Sequence, residues 1–143
     1  MSQIDFYVLR DTQTFSDRDR FVCRLTDKVW HQGYRLYIHT GGVAQAKVLD
    51  DLLWTFRQES FLPHDISSEA PSIAPIQIGY LEQHFHPLDV LINLTDTVPS
   101  FFEQFNRIVE IIVDLPQARE TGRQRYRFYK ERGHPLNTHD IQG

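Results

Sequence analysis

The chain has little cysteine and no long hydrophobic run, and both shortages narrow what it can be. Cys23 is the single cysteine among 143 residues, so an internal disulfide is excluded and a reducing compartment is expected. No apolar run approaches the ~20 residues that cross a bilayer, and residues 1–5 do not resemble the start of a signal peptide. From these absences we expect a cytoplasmic protein.

Sequence signals for phosphate binding and catalysis are also missing. There is no Walker-type loop and no Gly-x-Gly-x-x-Gly after the first strand pattern, and Gly41-Gly42 alone predicts a turn into a helix. Cys23 falls among core positions of a helix, His84-x-His86 has no third metal ligand positioned in the sequence, and nothing in the sequence suggests an acid–base role for Asp50-Asp51. The sequence therefore predicts no catalytic residue, no metal site and no cofactor.

What is present is a globular composition in which strand and helix patterns alternate. The length fits a single domain over residues 1–143. Short β-branched or aromatic runs predict strands, and apolar residues at helical spacing predict helices. The predicted strands span residues 4–9, 34–39, 76–80, 90–94 and 107–113, and the last of these is predicted to be the final strand of the sheet. Helical segments are predicted to begin at Ser16 (with Asp19 as its capping partner), Val43, Pro99 and Arg119. A surface loop is predicted over residues 63–75. This alternation predicts an α/β sandwich with a largely parallel central sheet.

The most distinctive segment covers residues 119–132. It holds six basic and two acidic residues, a formal charge of +4, whereas the whole chain carries −4, so the other residues together carry −8. At 100° per residue, one face of the predicted helix collects four cations and a phenol ring: Arg119, Arg123, Tyr126, Arg127 and Lys130. We expect no acidic partner four positions away on this face, which favours an anion-docking site over a solvated surface. We expect Phe128 to pack on the sheet, with Tyr129 between the two faces.

The residues alone leave two anionic partners open. Nucleic-acid binding usually needs a broad basic surface. The acidic remainder of this chain would repel a duplex outside the basic stripe that these four cations and Tyr126 form. A short acidic peptide end suits a narrow stripe better, because guanidinium groups can hold its carboxylate while an apolar side chain enters a neighbouring pocket. Direct binding of single-stranded DNA, with Tyr126 stacked on a base, is the alternative.

Five short motifs, in this order and at this spacing, resemble the chi subunit family of bacterial DNA polymerase III. They are Phe6-Tyr7-x-Leu9, Trp54 followed by residues 59–64, and residues 89–94, 123–130 and 133–138. The resemblance covers nearly the whole chain. It implies a Rossmann-like three-layer domain without a nucleotide-binding loop, and a non-catalytic accessory role at the clamp loader in DNA replication.

The resemblance also implies a first docking surface, for the acidic C-terminal tail of the single-stranded DNA-binding protein. That tail ends in an apolar residue with a free carboxylate. Carried over by position, the site uses Arg123, Tyr126, Arg127 and Lys130, with Leu115 helping to form an apolar pocket at the base of the helix.

A second implied surface binds the psi subunit, which joins chi to the clamp loader. It involves Trp54, Phe61 and His64. Taken without the resemblance, Trp54 follows a Leu-Leu pair and fits a core position, whereas Phe61 near Pro63 has little local cover and fits an exposed contact residue.

Overall fold

The computed structural model describes residues 2–55, 64–66, 75–80 and 89–142, with the backbone alone for 64–66 and 142. The elements in these ranges are β1 (Gln3–Arg10), α1 (Phe15–His31), β2 (Leu36–His39), α2 (Val43–Thr55), β3 (His64–Ile66), β4 (Ile76–Gly79), β5 (Val90–Asn93), a 3-10 turn (Phe102–Gln104), β6 (Arg107–Ile112), α3 (Pro116–Glu131) and β7 (Leu136–Gln142). The strands form one sheet in the order β3-β4-β2-β5-β6-β1-β7, and all neighbours are parallel. The predicted α/β fold with a parallel central sheet is confirmed.

Helices cover both faces of this sheet, which makes a Rossmann-like three-layer arrangement. Because side chains alternate along a strand, Leu36 and Ile38 of β2 join the cluster formed with α1 and α2. Tyr37, between them, joins the opposite cluster with the 3-10 turn and with Tyr129 of α3. No helix in the described part of the chain is long and apolar enough to cross a membrane.

The start of α1 differs from the prediction. Thr14 is the N-cap: its backbone is extended, with φ −122° and ψ 146°, and its Oγ1 accepts a hydrogen bond from the backbone N–H of Asp17 at 3.1 Å. The predicted capping pair of Ser16 and Asp19 is therefore wrong. Thr14 and Asp17 have the same spacing two residues earlier, and Asp19 is instead buried against Arg18. Gly33, with φ 91°, follows the end of α1.

Both strands that the sequence did not predict lie at the edges of the sheet. β3 falls inside residues 63–75, predicted as a loop, and pairs with β4. β7 follows α3 and pairs with β1 from Leu136 opposite Ile4 onward, so β6 is not the last strand. Five of the seven residues of β7 are polar, because an edge strand with exposed side chains needs no continuous apolar run.

Candidate docking site on the last helix

The position of α3 is fixed at its start by Leu115 and Pro116. Leu115 is extended, with φ −129° and ψ 141°, and caps the helix. Pro116 suits the first helical position because its missing N–H has no intrahelical acceptor there. Leu115 is half-buried at the base of α3. It therefore lies where the predicted apolar contact would need it, although its role in a pocket stays a prediction.

The structure brings four predicted site residues to the outer side of α3. Arg123, Arg127 and Lys130 are exposed, and Tyr126 lies among them. The ring of Tyr126 packs edge-on against Phe6 of β1, with ring centroids 5.3 Å apart. One side of that ring thus rests on the core while the rest stays accessible, an arrangement that suits a residue contacting an amphipathic ligand.

Two of the cations on this face have acidic partners, although neither partner is four residues away. Arg123 Nη1 lies 2.8 Å from Glu120 Oε2, three residues earlier on the helix. Arg119 Nη1 lies 3.3 Å from Asp114 Oδ1, which precedes the helix. The prediction considered only partners four positions away, and both of these acids lie elsewhere. In the part of the chain that the structure describes, Arg127 and Lys130 form no ion pair.

Arg125 belongs to the same basic segment but faces the sheet. Its side chain is only 7% exposed. Its Nε donates to Glu110 Oε1 at 2.9 Å, and its Nη1 donates to the backbone oxygen of Asp96 at 3.0 Å. One of the six cations of the segment is therefore neutralised inside the protein and contributes nothing to the outer stripe.

Glu110 is the centre of this buried network. Its carboxylate is fully buried and also accepts hydrogen bonds from the Tyr129 hydroxyl at 2.7 Å and from Asn93 Nδ2 at 3.0 Å. Burial raises the pKa of Glu110, although Arg125 and these donors act in the opposite direction. Burial and the adjacent Glu110 charge also raise the pKa of Tyr129. The phenol of Tyr129 thus keeps its proton and serves as a donor that holds α3 to the sheet.

The inner face of α3 is formed by Gly122, Arg125 and Tyr129, at helical spacings of three and four. Tyr129 is completely buried, whereas Phe128 is half-buried beneath the Arg132 guanidinium, 3.5 Å from its ring centroid. Phe128 packs against the core cluster on this side of the sheet, as predicted, whereas Tyr129, predicted to lie between the two faces, is on the inner face. A Cβ built on Gly122 would lie 2.6 Å from Ile112 Cδ1, so this glycine allows α3 to approach β6 closely.

The second predicted surface is only partly described. Trp54 lies near the end of α2 and is 52% exposed, so the core interpretation of this residue is wrong. Phe61 lies outside the described residues. His64 opens β3, of which the backbone alone is described. The association of these three residues stays a prediction.

The structure gives no support for a catalytic or metal-binding role of the other candidate residues that it describes. Cys23 is buried, and burial together with the nearby Asp19 raises the pKa of its thiol to about 12, which makes it unreactive. His84 and His86 lie outside the described residues. Among the side chains that are described, no three His, Cys, Asp or Glu residues are grouped as a metal site would need.

Comparisons with known proteins agree with one another. The family described as DNA polymerase III chi subunit, HolC, matches residues 1–137. DNA polymerase III subunit chi of Pseudomonas aeruginosa is 40% identical over 141 residues, which cover 99% of this chain and 98% of the relative. The Escherichia coli subunit chi is 30% identical over 143 residues, covering 96% and 97% of the two chains.

A solved structure outside these relatives has a similar fold. T4 UvsW superposes with a TM-score of 0.71 at 10% sequence identity. The match covers 98% of this chain and 41% of the UvsW chain. At this identity the likeness concerns the fold alone.

Proposed function

The chain belongs to the DNA polymerase III chi subunit family, whose members are accessory subunits in DNA replication, and we propose that it acts there as a non-catalytic adaptor. One surface binds the acidic C-terminal tail of the single-stranded DNA-binding protein, and another binds the psi subunit and through it the clamp loader. The proposed place of action is the cytoplasm, where the replicating chromosome of a bacterium lies.

The exposed cation group on α3 carries the tail-binding proposal. Arg127 and Lys130 have no acidic partner in the described residues, and Arg123 is bound only to a largely exposed glutamate. Guanidinium and ammonium groups on one helix face can contact several carboxylates of an acidic peptide, and Arg adds paired hydrogen bonds to its terminal carboxylate. Such exposed contacts weaken as salt is added.

An apolar contact beside the cations supports a peptide that ends in an apolar residue. Tyr126 rests on Phe6, and Leu115 is half-buried at the base of the same helix. A side chain that packs there would remove apolar surface from water while its carboxylate meets the arginines. This combination favours a peptide terminus over a polyanion that lacks an apolar end.

A matched pair of variants tests the tail site. Titration of the tail peptide is expected to show at least about a five-fold weaker dissociation constant for Arg123→Ala, the loss of one charge-assisted contact. The control is Arg20→Ala, which removes an exposed arginine from α1 on the other side of the sheet. Equal affinities for Arg123→Ala and Arg20→Ala would contradict the assignment.

The same titration distinguishes tail-peptide binding from the second candidate function, direct binding of single-stranded DNA. The observation that favours this candidate is the accessible ring of Tyr126 among cations, since aromatic rings stack on bases. A bare oligonucleotide is expected to bind far more weakly than the tail peptide, because the rest of the chain carries −8. Tighter binding of the oligonucleotide would reverse the proposal.

The psi surface is proposed around Trp54. A large aromatic side chain that is 52% exposed near a helix end is a frequent anchor at protein interfaces. Trp54→Ala is expected to weaken capture of the psi subunit about ten-fold or more, as for other aromatic anchors. Val48→Ala, a truncation at a similarly exposed position of α2, is the control and should have little effect.

A further inference from the structure

Glu120 forms an ion pair with Arg123, one of the cations of the proposed tail site. Its Oε2 lies 2.8 Å from Arg123 Nη1, and the two side chains are 58% and 68% exposed. The pair lies on the surface of α3, in the region where a ligand carboxylate would approach. In the free protein, Arg123 therefore already holds a carboxylate.

The cations of the stripe differ in this respect. Arg119 is held by Asp114, whose other oxygen accepts a hydrogen bond from the backbone N–H of Asp11 at 3.2 Å. Arg127 and Lys130 have no ion pair within the described residues. The stripe thus has paired cations toward the start of α3 and unpaired ones toward its end.

We propose that Glu120 is an internal competitor that limits binding at Arg123, an inference that rests on the proposed tail-binding function. A ligand carboxylate that reaches Arg123 must displace Glu120 or share the guanidinium with it. The Glu120 contact that is lost offsets part of the free energy of the new contact, and a shared site places two like charges together. Arg123 then contributes less to affinity than its charge alone would give.

This competition selects for ligands that carry several acidic groups. A multivalent acidic peptide can engage Arg127 and Lys130 first, which raises its local concentration at Arg123 and favours displacement of Glu120. An isolated anion lacks these additional contacts. Glu120 therefore increases the number of contacts that a ligand needs before it binds at Arg123.

The test compares two isosteric variants with the same change in net charge. Glu120→Gln removes the competitor, and Glu131→Gln removes another exposed carboxylate of α3 that forms no ion pair in the described structure. The probe is a labelled peptide of four aspartates followed by leucine and a C-terminal phenylalanine with a free carboxylate. We expect Glu120→Gln to bind it about two- to five-fold more tightly than wild type, the range of an exposed ion pair. Glu131→Gln should increase the affinity for the peptide clearly less.

A double-mutant cycle identifies the partner. When Arg123 is already replaced by glutamine, the gain from Glu120→Gln should fall to the gain from Glu131→Gln. Equal gains from the two single variants, or a gain from Glu120→Gln that persists without Arg123, would overturn the inference.

The two proposals fail in distinguishable ways. A wild-type protein that does not bind the probe contradicts the tail-binding function. The inference still holds in that case if Glu120→Gln binds the probe while Glu131→Gln does not, and it falls if neither variant binds.

Discussion

Arg123 and Arg125 lie two residues apart on α3, and their surroundings are opposite. Arg123 is 68% exposed and pairs with the exposed Glu120, whereas Arg125 is 7% exposed and pairs with the fully buried Glu110. A separation of two residues is about 200° around a helix, so one arginine faces solvent and the other faces the sheet. The same residue type thus attaches the helix to the sheet at one position and, in the proposed function, contacts a ligand at the other.

The comparison shows why the charge of the segment overstates the charge of its surface. Arg125 is neutralised by Glu110, and Arg119 and Arg123 have acidic partners. In the proposed function, α3 both packs on the sheet and binds an anion, and its cations are divided between these two roles. The stripe is defined by the side chains that remain exposed.

The greatest loss of stability is expected when the buried arginine is removed. Arg125→Ala leaves Glu110 buried without a cation and leaves the Asp96 carbonyl without its donor. Loss of one partner of a buried pair costs about 3–5 kcal/mol of unfolding free energy. Arg123→Ala should cost less than about 1 kcal/mol, since its pair is exposed. Urea unfolding of both variants checks this, and similar losses would contradict the division of roles.

A smaller loss of unfolding free energy is expected for Tyr129→Phe, and almost none for Tyr126→Phe on the same helix. Tyr129→Phe removes the hydroxyl that donates to Glu110 at 2.7 Å, at a cost of about 1–3 kcal/mol. Tyr126→Phe removes a hydroxyl from a partly exposed ring and should leave the stability nearly unchanged. Thermal or urea unfolding distinguishes them, and a larger loss at Tyr126 would show that the inner and outer sides had been misassigned.

The ion pair between Asp5 and Arg107 has intermediate exposure and should make the stability depend on pH. Asp5 Oδ2 lies 2.6 Å from Arg107 Nε. Burial raises the pKa of Asp5, but hydrogen bonds and charges from Arg107 and His139 outweigh burial, so the pKa lies below 3.8. A lowered folded-state pKa gives stability that is present above the unfolded value and is lost as the pH falls through the folded one.

We therefore expect the stability difference between wild type and Asp5→Asn to shrink as the pH is lowered below about 4, the ordinary pKa of an aspartate. Urea titrations at a series of pH values measure this difference. A difference that stays constant across the acidic range would mean that the Asp5 carboxylate contributes no pH-dependent stability.

Much of the architecture was predictable because buried parallel strands have apolar runs. The segments of β5 and β6 have such runs, β4 has isoleucines at alternate positions, and all three were predicted within a few residues. β3 and β7 were missed because edge strands can be short or polar. The outer stripe of α3 followed from helical spacing alone.

The buried network around Glu110 could not be predicted in the same way. Glu110 and Arg125 are fifteen residues apart and meet only because α3 folds back on β6. Within the last β-branched run, Glu110 was a visible exception, and a charged residue in a buried strand signals a buried partner. The Glu120–Arg123 pair was within reach of sequence analysis, since side chains three apart on a helix are neighbours.

The most direct test measures tail-peptide affinity and unfolding free energy together for Arg123→Gln and Arg125→Gln. We expect opposite results for the two variants. Arg123→Gln loses about five-fold or more in affinity with nearly unchanged stability, and Arg125→Gln loses stability by several kcal/mol. If Arg123→Gln keeps full affinity while remaining folded, the outer face of α3 is not the tail site and the central claim is wrong.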